Sequence, residues 1–195
     1  MDKSHLMESV DNKEPSIRLA EVGDAPQILD ILKQNLAVNL SSDESKEGFL
    51  YYEPTIPELE RIINDVGILI ATDGDEIKGY LMTMSRELAS GIPFMCEMID
   101  ESAKMKYQGK DLNEYRYAIL AQICISKKYR GGRIFARLHA MKDKLMKQKG
   151  YELGIAEIAD QNVKSLTVHS FFTEVGTYLS SSGVLWHVVV QDFRR

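Results

Sequence analysis

The sequence predicts one α/β domain of the α+β kind, with a mixed, mostly antiparallel central sheet flanked by helices. Segments with strand character and amphipathic helical segments follow one another from position 16 onward, and no linker or repeat divides the 195 residues. A single β-α-β unit in the C-terminal half adds one parallel pair of strands. We therefore predict one domain over residues 16–195, preceded by a flexible leader at residues 1–15.

The first half of the domain is predicted to contain a strand, two helices and a hairpin. The segment "SIRLA" alternates like a short strand, and Pro26 suits the first turn of the helix after it. A second helix, "TIPELERIINDVG", has Pro57 in its first turn. Two apolar runs, 68–72 and 77–84, are separated by "DGDE", which carries the turn residues of an antiparallel hairpin.

The second half contains the β-α-β unit. Residues 87–116 are predicted to form an insertion of unassigned role, helical over "FMCEMIDESAKMK" and a loop over "YQGKDLNEY". The strand "YAILAQICIS" leads to a helix ending near Gly150, with Leu138 and Met146 on one side and Lys142 on the other. The strand "ELGIAEIA", a helix over "DQNVKSLTVHSFF" and two closing strands, "GTYLSS" and "GVLWHVVVQDF", complete the order.

Composition narrows the class of partner. The formal net charge of −5 argues against nonspecific binding to nucleic acid. No apolar run approaches the roughly 20 residues that span a bilayer, so no membrane partner is expected. Cys96 and Cys124 form neither a disulfide framework nor a metal-ligand spacing, which favours a reducing compartment. We therefore predict a cytoplasmic protein without a metal that acts on a small partner.

The stretch "KKYRGGRIF" joins the predicted strand to the helix after it. The first backbone N–H groups of a helix have no intrahelical partner, and glycines let a ligand approach them closely. Such a helix end binds phosphate, and flanking cations add charge-assisted hydrogen bonds. The stretch therefore predicts a pyrophosphate cradle, with a solvated tight turn as the alternative.

In this joint and its surroundings the sequence resembles the GNAT superfamily of acetyl-CoA-dependent N-acetyltransferases. The family carries Arg/Gln-x-x-Gly-x-Gly/Ala at the start of this helix, and here "ICISKKYRGGRIFARL" is similar, with Arg133 and Phe135 at the family's later small-residue positions. The downstream "NVKSLTVHSFFTEVGTYL" resembles the family's next motif, and the element order fits over residues 17–193. The resemblance implies a splayed pair of strands at a CoA site.

The resemblance also implies the residues that bind acetyl-CoA. Asn162 corresponds to an amide on the pantetheine arm, with a helix N-cap as the alternative, and Ser165 has small-residue packing as its alternative. The predicted cofactor-binding set is Ile123, Cys124, Ile125, Arg130, Gly131, Gly132, Arg133, Ile134, Phe135, Asn162 and Ser165.

Three residues are candidates for proton transfer. His169 stands where many members of the family carry a tyrosine that donates a proton to the CoA thiolate, and a packed structural histidine is the alternative. The family's usual glutamate position on the fourth strand carries Ile119. Gln122 and Glu157 are polar groups within apolar strands, so either is a candidate base or a satisfied strand residue.

The predicted activity is transfer of an acetyl group from acetyl-CoA to a primary amine by direct attack, because no activated nucleophile is evident. The acceptor would be a small-molecule or peptide amine, and a homodimer is left open. The alternative is a non-catalytic CoA-binding or sensory module, suggested by the missing glutamate and the altered glycines.

Overall fold

The computed structural model describes residues 15–194. The predicted leader, residues 1–15, lies outside this range except for Pro15. The helices are α1 (Ala25–Lys33), α2 (Ser42–Ser45), α3 (Ile56–Asn64), α4 (Arg86–Ala89), α5 (Pro93–Ser102), α6 (Ile134–Gln148) and α7 (Val163–Val168). The strands are β1 (Ser16–Leu19), β2 (Gly67–Asp73), β3 (Glu76–Ser85), β4 (Lys106–Tyr107), β5 (Lys110–Asp111), β6 (Tyr117–Ile125), β7 (Leu153–Ala159), β8 (Thr173–Leu179) and β9 (Leu185–Asp192).

Within residues 15–194, seven strands form one sheet in the order β1-β2-β3-β6-β7-β9-β8, and β4 and β5 form a separate small hairpin. Neighbours in the large sheet are antiparallel except for β6 and β7, which are parallel. This arrangement confirms the predicted mixed, mostly antiparallel sheet. The predicted hairpin forms at Asp73 and Glu76, which pair across its turn.

The parallel pair β6–β7 is short. Residues 117–119 pair with residues 153–155, and past these positions the described strands are no longer paired, although β6 continues to Ile125. A bulge in β6 lies where the two strands separate. Met82 pairs with Gln122 and Thr83 pairs with Leu120, so Ala121 has no partner residue on β3. The predicted splay of two strands is therefore present.

The sheet has two faces with different helices. On the front face, α1, α3 and α5 pack on the largest apolar core, to which Ile28, Leu59 and Met98 contribute. On the back face, α6 and α7 pack through Leu138 and Leu166. Side chains alternate between the two faces along a strand, except where a bulge such as that at Ala121 interrupts the register.

Two predicted elements differ from the structure. The helix expected over "DQNVKSLTVHSFF" is shorter, because α7 spans Val163–Val168 and β8 already begins at Thr173. The predicted insertion at residues 87–116 contains α5 as expected, but its loop holds the β4–β5 hairpin, whose turn residues Gln108 and Gly109 have positive φ. Because Met95 and Met98 belong to the main core, this segment is an integral part of the domain.

Close approach of β3 to β6 explains a glycine on β3. A Cβ atom at Gly79 would lie 2.8 Å from the carbonyl oxygen of Cys124, whereas a Cβ at Gly23 would meet no atom within 4 Å. We expect Gly79→Ala to lower the free energy of unfolding by about 1–3 kcal/mol, since backbone must move to relieve the contact. Gly23→Ala is the matched control, expected within about 0.5 kcal/mol of the parent. Urea denaturation of both variants checks this, and equal stability would contradict it.

Candidate active site

A cavity of about 650 Å³ opens where β6 and β7 part. It reaches both faces of the sheet, because front-face residues such as Tyr52 and back-face residues such as Phe135 both line it. The predicted catalytic residues Gln122, Glu157 and His169 line this one cavity. The parting of two strands has therefore brought residues from distant parts of the sequence to one site.

The turn between β6 and α6 forms one end of the cavity. A short 3-10 turn, Lys127–Tyr129, is followed by Arg130 and then by Gly131, whose φ of 77° favours glycine. A Cβ at Gly131 would meet no protein atom within 4 Å, and one at Gly132 would come no closer than 3.7 Å to the Tyr129 carbonyl oxygen. Among the described residues the turn therefore leaves room beside both glycines, as a ligand-binding turn requires, and both glycines line the cavity.

Arg130 is engaged within the protein. Its guanidinium donates to the Ile125 carbonyl oxygen at 3.0 Å, the Glu47 carbonyl oxygen at 3.3 Å and Asn35 Oδ1 at 2.6 Å. These bonds use three of its five N–H donors and leave others for a ligand. Arg130 thus fixes the turn to the end of α1.

Two residues of the predicted cofactor set do not line the cavity. Ile134 is buried on the back face in the cluster that contains Leu69 and Leu138. Arg133 immediately precedes the first turn of α6 and also lies outside the cavity lining. The remaining predicted residues, Ile123, Cys124, Ile125, Arg130, Gly131, Gly132, Phe135, Asn162 and Ser165, all line it.

A segment at residues 44–50, which we call the strap, connects the two sides of the cleft. Lys127 on the cradle side forms an ion pair with Glu44. On the α7 side, Lys164 lies 3.6 Å from the Glu47 carboxylate, and Asn162 Nδ2 donates to the Phe49 carbonyl oxygen at 2.9 Å. The strap is therefore fixed to both walls of the cavity mouth.

Asn162 and Ser165 hold the start of α7. Asn162 Oδ1 accepts a hydrogen bond from the Ser165 backbone N–H at 3.3 Å, which is the N-cap predicted as one of its two roles. The other side of the Asn162 amide is bonded to the strap. A pantetheine arm would therefore share Asn162 with these partners or displace one of them.

Glu157 is a carboxylate in a largely apolar position. It follows Ile155 by two residues and so faces the front. Burial raises the pKa of Glu157 to about 7, the Tyr178 hydroxyl lowers it by donating a hydrogen bond, and the Glu97 carboxylate raises it. A carboxyl group with a pKa near neutrality can exchange a proton with an amine under physiological conditions.

Gln122 is held at both ends of its amide. Its Oε1 accepts a hydrogen bond from the Tyr80 hydroxyl at 3.0 Å, and its Nε2 donates to the Tyr52 carbonyl oxygen at 2.7 Å. A neutral amide cannot take up a proton near pH 7, so these bonds suit a residue that positions the Tyr52 backbone. Nearby, burial raises the pKa of Cys124 to about 12, which makes this thiol a poor nucleophile.

His169 lies on the back-face side of the cavity. Its Nδ1 is 2.8 Å from the Ser165 carbonyl oxygen, and a carbonyl only accepts, so Nδ1 carries the proton and the neutral ring leaves Nε2 as an acceptor. Burial lowers the pKa of His169. Donation of a proton to a thiolate would thus require the imidazolium form, which burial disfavours.

A buried group of rings and one cation surrounds His169. The His139 ring centroid lies 4.4 Å from that of Phe135 and 5.4 Å from that of His169, and His139 Nδ1 is 3.2 Å from the Lys142 ammonium. Burial, helped by Lys142 and His169, lowers the pKa of His139 to about 3. Within the described chain His139 Nε2 is buried without a hydrogen-bond partner. Both His139 and Lys142 line the cavity.

The sequence analysis missed three residues of this site. Lys142 was placed on the solvated side of its helix, yet it is fully buried and pairs with Asp143 at 3.0 Å. Its spacing of four residues from both Leu138 and Met146 was the signal for the buried side. Tyr178 carried no such signal, because its partner Glu157 lies on another strand. His139 has neighbours on its own helix, Phe135 and Lys142, whose helical spacing was the available signal.

The described residues hold neither a cluster of metal-ligand side chains nor a membrane-spanning helix. Among residues 15–194 no group of three or more His, Cys, Asp or Glu side chains is arranged to hold a metal ion. In the same part of the chain, every helix is too short or too polar to cross a membrane.

No family model and no curated protein matches this chain. Solved structures do match it. An N-acetyltransferase from Staphylococcus aureus Mu50 is 19% identical, with a TM-score of 0.59 over 92% of this chain and 98% of its own. A putative acetyltransferase of the GNAT family from Desulfovibrio desulfuricans is 10% identical, with a TM-score of 0.59 over 91% and 98%.

A third match carries a ligand. The putative acetyltransferase YncA from Salmonella typhimurium, solved with its cofactor acetyl-CoA, is 13% identical, with a TM-score of 0.61 over 93% of this chain and 95% of its own. At these identities the comparisons establish the fold. The predicted resemblance is confirmed at that level, and the chain has the GNAT fold.

The buried imidazole of His139 makes a pH-dependent contribution to stability. Its pKa is lowered on folding, so its contribution is complete above about pH 6.5 and decreases as the pH falls toward 3. Glu157 has the opposite effect on the pH dependence. Its pKa is raised on folding, so its contribution to stability grows as the pH falls from about 7 toward the pKa of a glutamate in the unfolded chain. Between pH 6 and 4.5 we expect the free energy of unfolding of His139→Phe to depend less steeply on pH than that of the parent. The difference in slope should be up to about 1.4 kcal/mol per pH unit. Urea titrations of parent and variant across this range check it, and parallel pH profiles would contradict it.

Proposed function

We propose that this protein transfers an acetyl group from acetyl-CoA to a primary amine by direct attack. The observation that carries this proposal is the parting of β6 and β7 beside the open glycine turn that precedes α6, with the half-buried carboxylate of Glu157 in the opening. Fold relatives that include a structure with acetyl-CoA support the choice of donor.

The residues present fit such a donor. Past residue 119 the edge of β6 that faces β7 is unpaired, so its backbone groups can bond an extended amide-bearing arm like one more strand. The open cradle turn lies at the end of that edge, and α6, with fifteen residues, directs its positive end there. Acetyl-CoA would supply the thioester, whose C–S bond breaks as the C–N bond forms.

Glu157 is the proposed base. Its carboxylate takes the proton that an ammonium must lose before the amine can attack, and the second amine proton finally resides on the departing thiol. Because the Tyr178 phenol has a pKa raised by burial and by Glu157, it stays protonated and keeps the carboxylate oriented. Gln122 serves by positioning the Tyr52 backbone.

His169 stays in the proposal as the group beside the leaving sulfur. With its Nδ1 proton donated to Ser165, the neutral ring supplies packing and an acceptor, and proton donation belongs to its imidazolium form. We therefore assign the essential proton transfer to Glu157. Asn162 and Ser165 would hold the arm from the α7 side, in keeping with their places in the cavity.

The test of the activity is release of free thiol from acetyl-CoA with a panel of amines, combined with calorimetric titration of CoA. We expect binding and amine-dependent turnover. A non-catalytic CoA-binding module would bind without release, and an absence of binding at high micromolar CoA would remove the whole proposal.

The cradle is tested at Gly132. We expect Gly132→Asp to weaken CoA binding roughly 100-fold, because a carboxylate would face the pyrophosphate across a few ångströms. Its fold should persist, since the nearest atom to a Cβ here is 3.7 Å away and no positive φ is required. Gly23→Asp adds the same charge on an open surface and serves as the control. Equal CoA affinities with equal melting temperatures would contradict the cradle.

The base is tested through the pH dependence of kcat/KM. Since only the carboxylate form accepts a proton, the rate should rise through an apparent pKa near that of Glu157, about 7. We expect Glu157→Gln to remove this inflection and to lower kcat by about 10²–10⁴.

Two further variants give opposite shifts of the same inflection. Tyr178→Phe removes the hydrogen bond that lowers the pKa of Glu157, so the inflection should move to higher pH. Glu97→Gln removes a negative charge that raises the pKa of Glu157, so the inflection should move to lower pH. An inflection that persists in Glu157→Gln would assign it to another group.

A further inference from the structure

We propose that the acceptor is a primary amine carried on an apolar or aromatic group, with no carboxylate next to the amine. This inference rests on the proposed acetyl transfer and specifies the substrate class of the same site. It comes from the part of the cavity around Glu157 on the front face, which we call the acceptor chamber. We define its apolar wall by six of the side chains that line the cavity: Tyr51, Tyr52, Phe94, Met95, Met98 and Trp186.

The chamber presents aromatic surfaces held in place by one another. Tyr52 stacks on Phe94 with ring centroids 5.2 Å apart, and Tyr51 meets Trp186 edge-on at 5.3 Å. Met95 and Met98 are buried beside them, and thioether side chains adapt to apolar groups of different shape. The surface therefore suits an apolar substituent and offers little to a strongly hydrated one.

The charges that line the cavity are arranged for an ammonium group. Glu157 contributes a carboxylate to the chamber, whereas the cations among the described lining residues lie elsewhere. Lys142 is buried on the back face, and Lys164 on α7 pairs with Glu47. Arg130 donates a hydrogen bond to the carbonyl oxygen of Ile125 at the far end of β6, six residues past Ile119, the last residue of β6 that pairs with β7.

This distribution excludes a free α-amino acid as a good acceptor. A carboxylate next to the amine would lose its hydration beside the Glu157 carboxylate, with no cation in the chamber to pair with. An amine whose neighbouring group is uncharged meets no such penalty. That chemistry is shared by small apolar amines and by peptide N-termini with an apolar first residue.

The specificity comes from the segment predicted as an insertion. Helix α5 supplies Phe94, Met95 and Met98 to the chamber. It is tied to the β8–β9 turn because Glu97 accepts hydrogen bonds from the Ser181 backbone N–H at 2.7 Å and from the Ser181 hydroxyl at 3.2 Å. The chamber wall is thus fixed independently of the cofactor side.

A matched panel of amines tests the proposal, with thiol release from acetyl-CoA as the readout. The panel contains 2-phenylethylamine, phenylalaninamide, phenylalanine, ethanolamine and a peptide with N-terminal phenylalanine. Because an amide also lowers the pKa of its own α-amine, rates are expressed per neutral amine. On this basis we expect kcat/KM for phenylalaninamide to exceed that for phenylalanine about 100-fold or more. We expect kcat/KM for 2-phenylethylamine to exceed kcat/KM for ethanolamine by at least about tenfold.

The outcomes are distinct. Acetylation of phenylalanine within tenfold of its amide, or of ethanolamine as well as of 2-phenylethylamine, would overturn the inference and leave acetyl transfer intact. Binding of CoA with no thiol release for any amine would instead remove the proposed function. The ratio of the peptide to 2-phenylethylamine shows which source of the same chemistry the chamber prefers.

A variant of the chamber wall supplies a second readout. Phe94 is 40% exposed, so Phe94→Ala should fold, and we expect it to raise KM for 2-phenylethylamine about tenfold while leaving CoA affinity unchanged. Leu179→Ala truncates another exposed apolar side chain outside the cavity lining and should change neither value. An unchanged KM in Phe94→Ala would remove the aromatic wall from the assignment.

Discussion

The limited pairing of β6 with β7 is the constraint from which the rest of the site follows. Three residue pairs keep the two strands parallel, and the bulge at Ala121 then lets β6 diverge. A sheet edge inside a domain leaves backbone donors and acceptors that must be satisfied by water or by a ligand. Glu157 lies on β7 two residues past the last pair, so its front-facing carboxylate borders the opening that the divergence creates.

The two faces of the sheet divide the chemistry of the cavity. The front face contributes Glu157, a carboxyl group with a pKa near 7, among aromatic rings. The back face contributes the imidazoles of His139 and His169, whose pKa values are lowered by burial, and the buried ammonium of Lys142. The strap joins the two walls at the cavity mouth through Glu44, Glu47 and Phe49. The strap also packs on the main apolar core through Phe49 and Leu50, so both polar and apolar contacts hold it in place.

The sequence was most informative where local chemistry decides structure. The hairpin at Asp73–Glu76 and the glycine turn at Gly131 follow from turn residues and periodicity. The element order predicted the mixed sheet, and the splay was implied by the family resemblance. The contacts of Arg130 and Gln122 could not be predicted, because their partners Asn35 and Tyr52 are 70 or more residues away in sequence. The extent of α7 depended on where β8 begins its pairing with β9, which local periodicity does not encode.

Lys142 shows a different limit. A lysine is expected at the surface, and that expectation outweighed a spacing that placed it between Leu138 and Met146. Its burial depends on Gln191 and Asp143, together with the rings of Phe172 and Phe193, which offer bonds and a π surface to an ammonium without water. Residue type alone therefore misplaces a cation whose environment is assembled by tertiary contacts.

The position of α5 in the chain has a consequence for how such a protein can diverge. The cradle, the splayed strands and Glu157 belong to the sheet and to α6, whereas one side of the chamber comes from a single continuous segment between β3 and β6. Substitutions at exposed cavity-lining positions of that segment, such as Phe94, alter the shape of the opening, and none of the paired strands of the large sheet belongs to it. Proteins that descend from one ancestral gene can therefore change which ligand the opening accepts while they keep the same splayed strands and glycine turn.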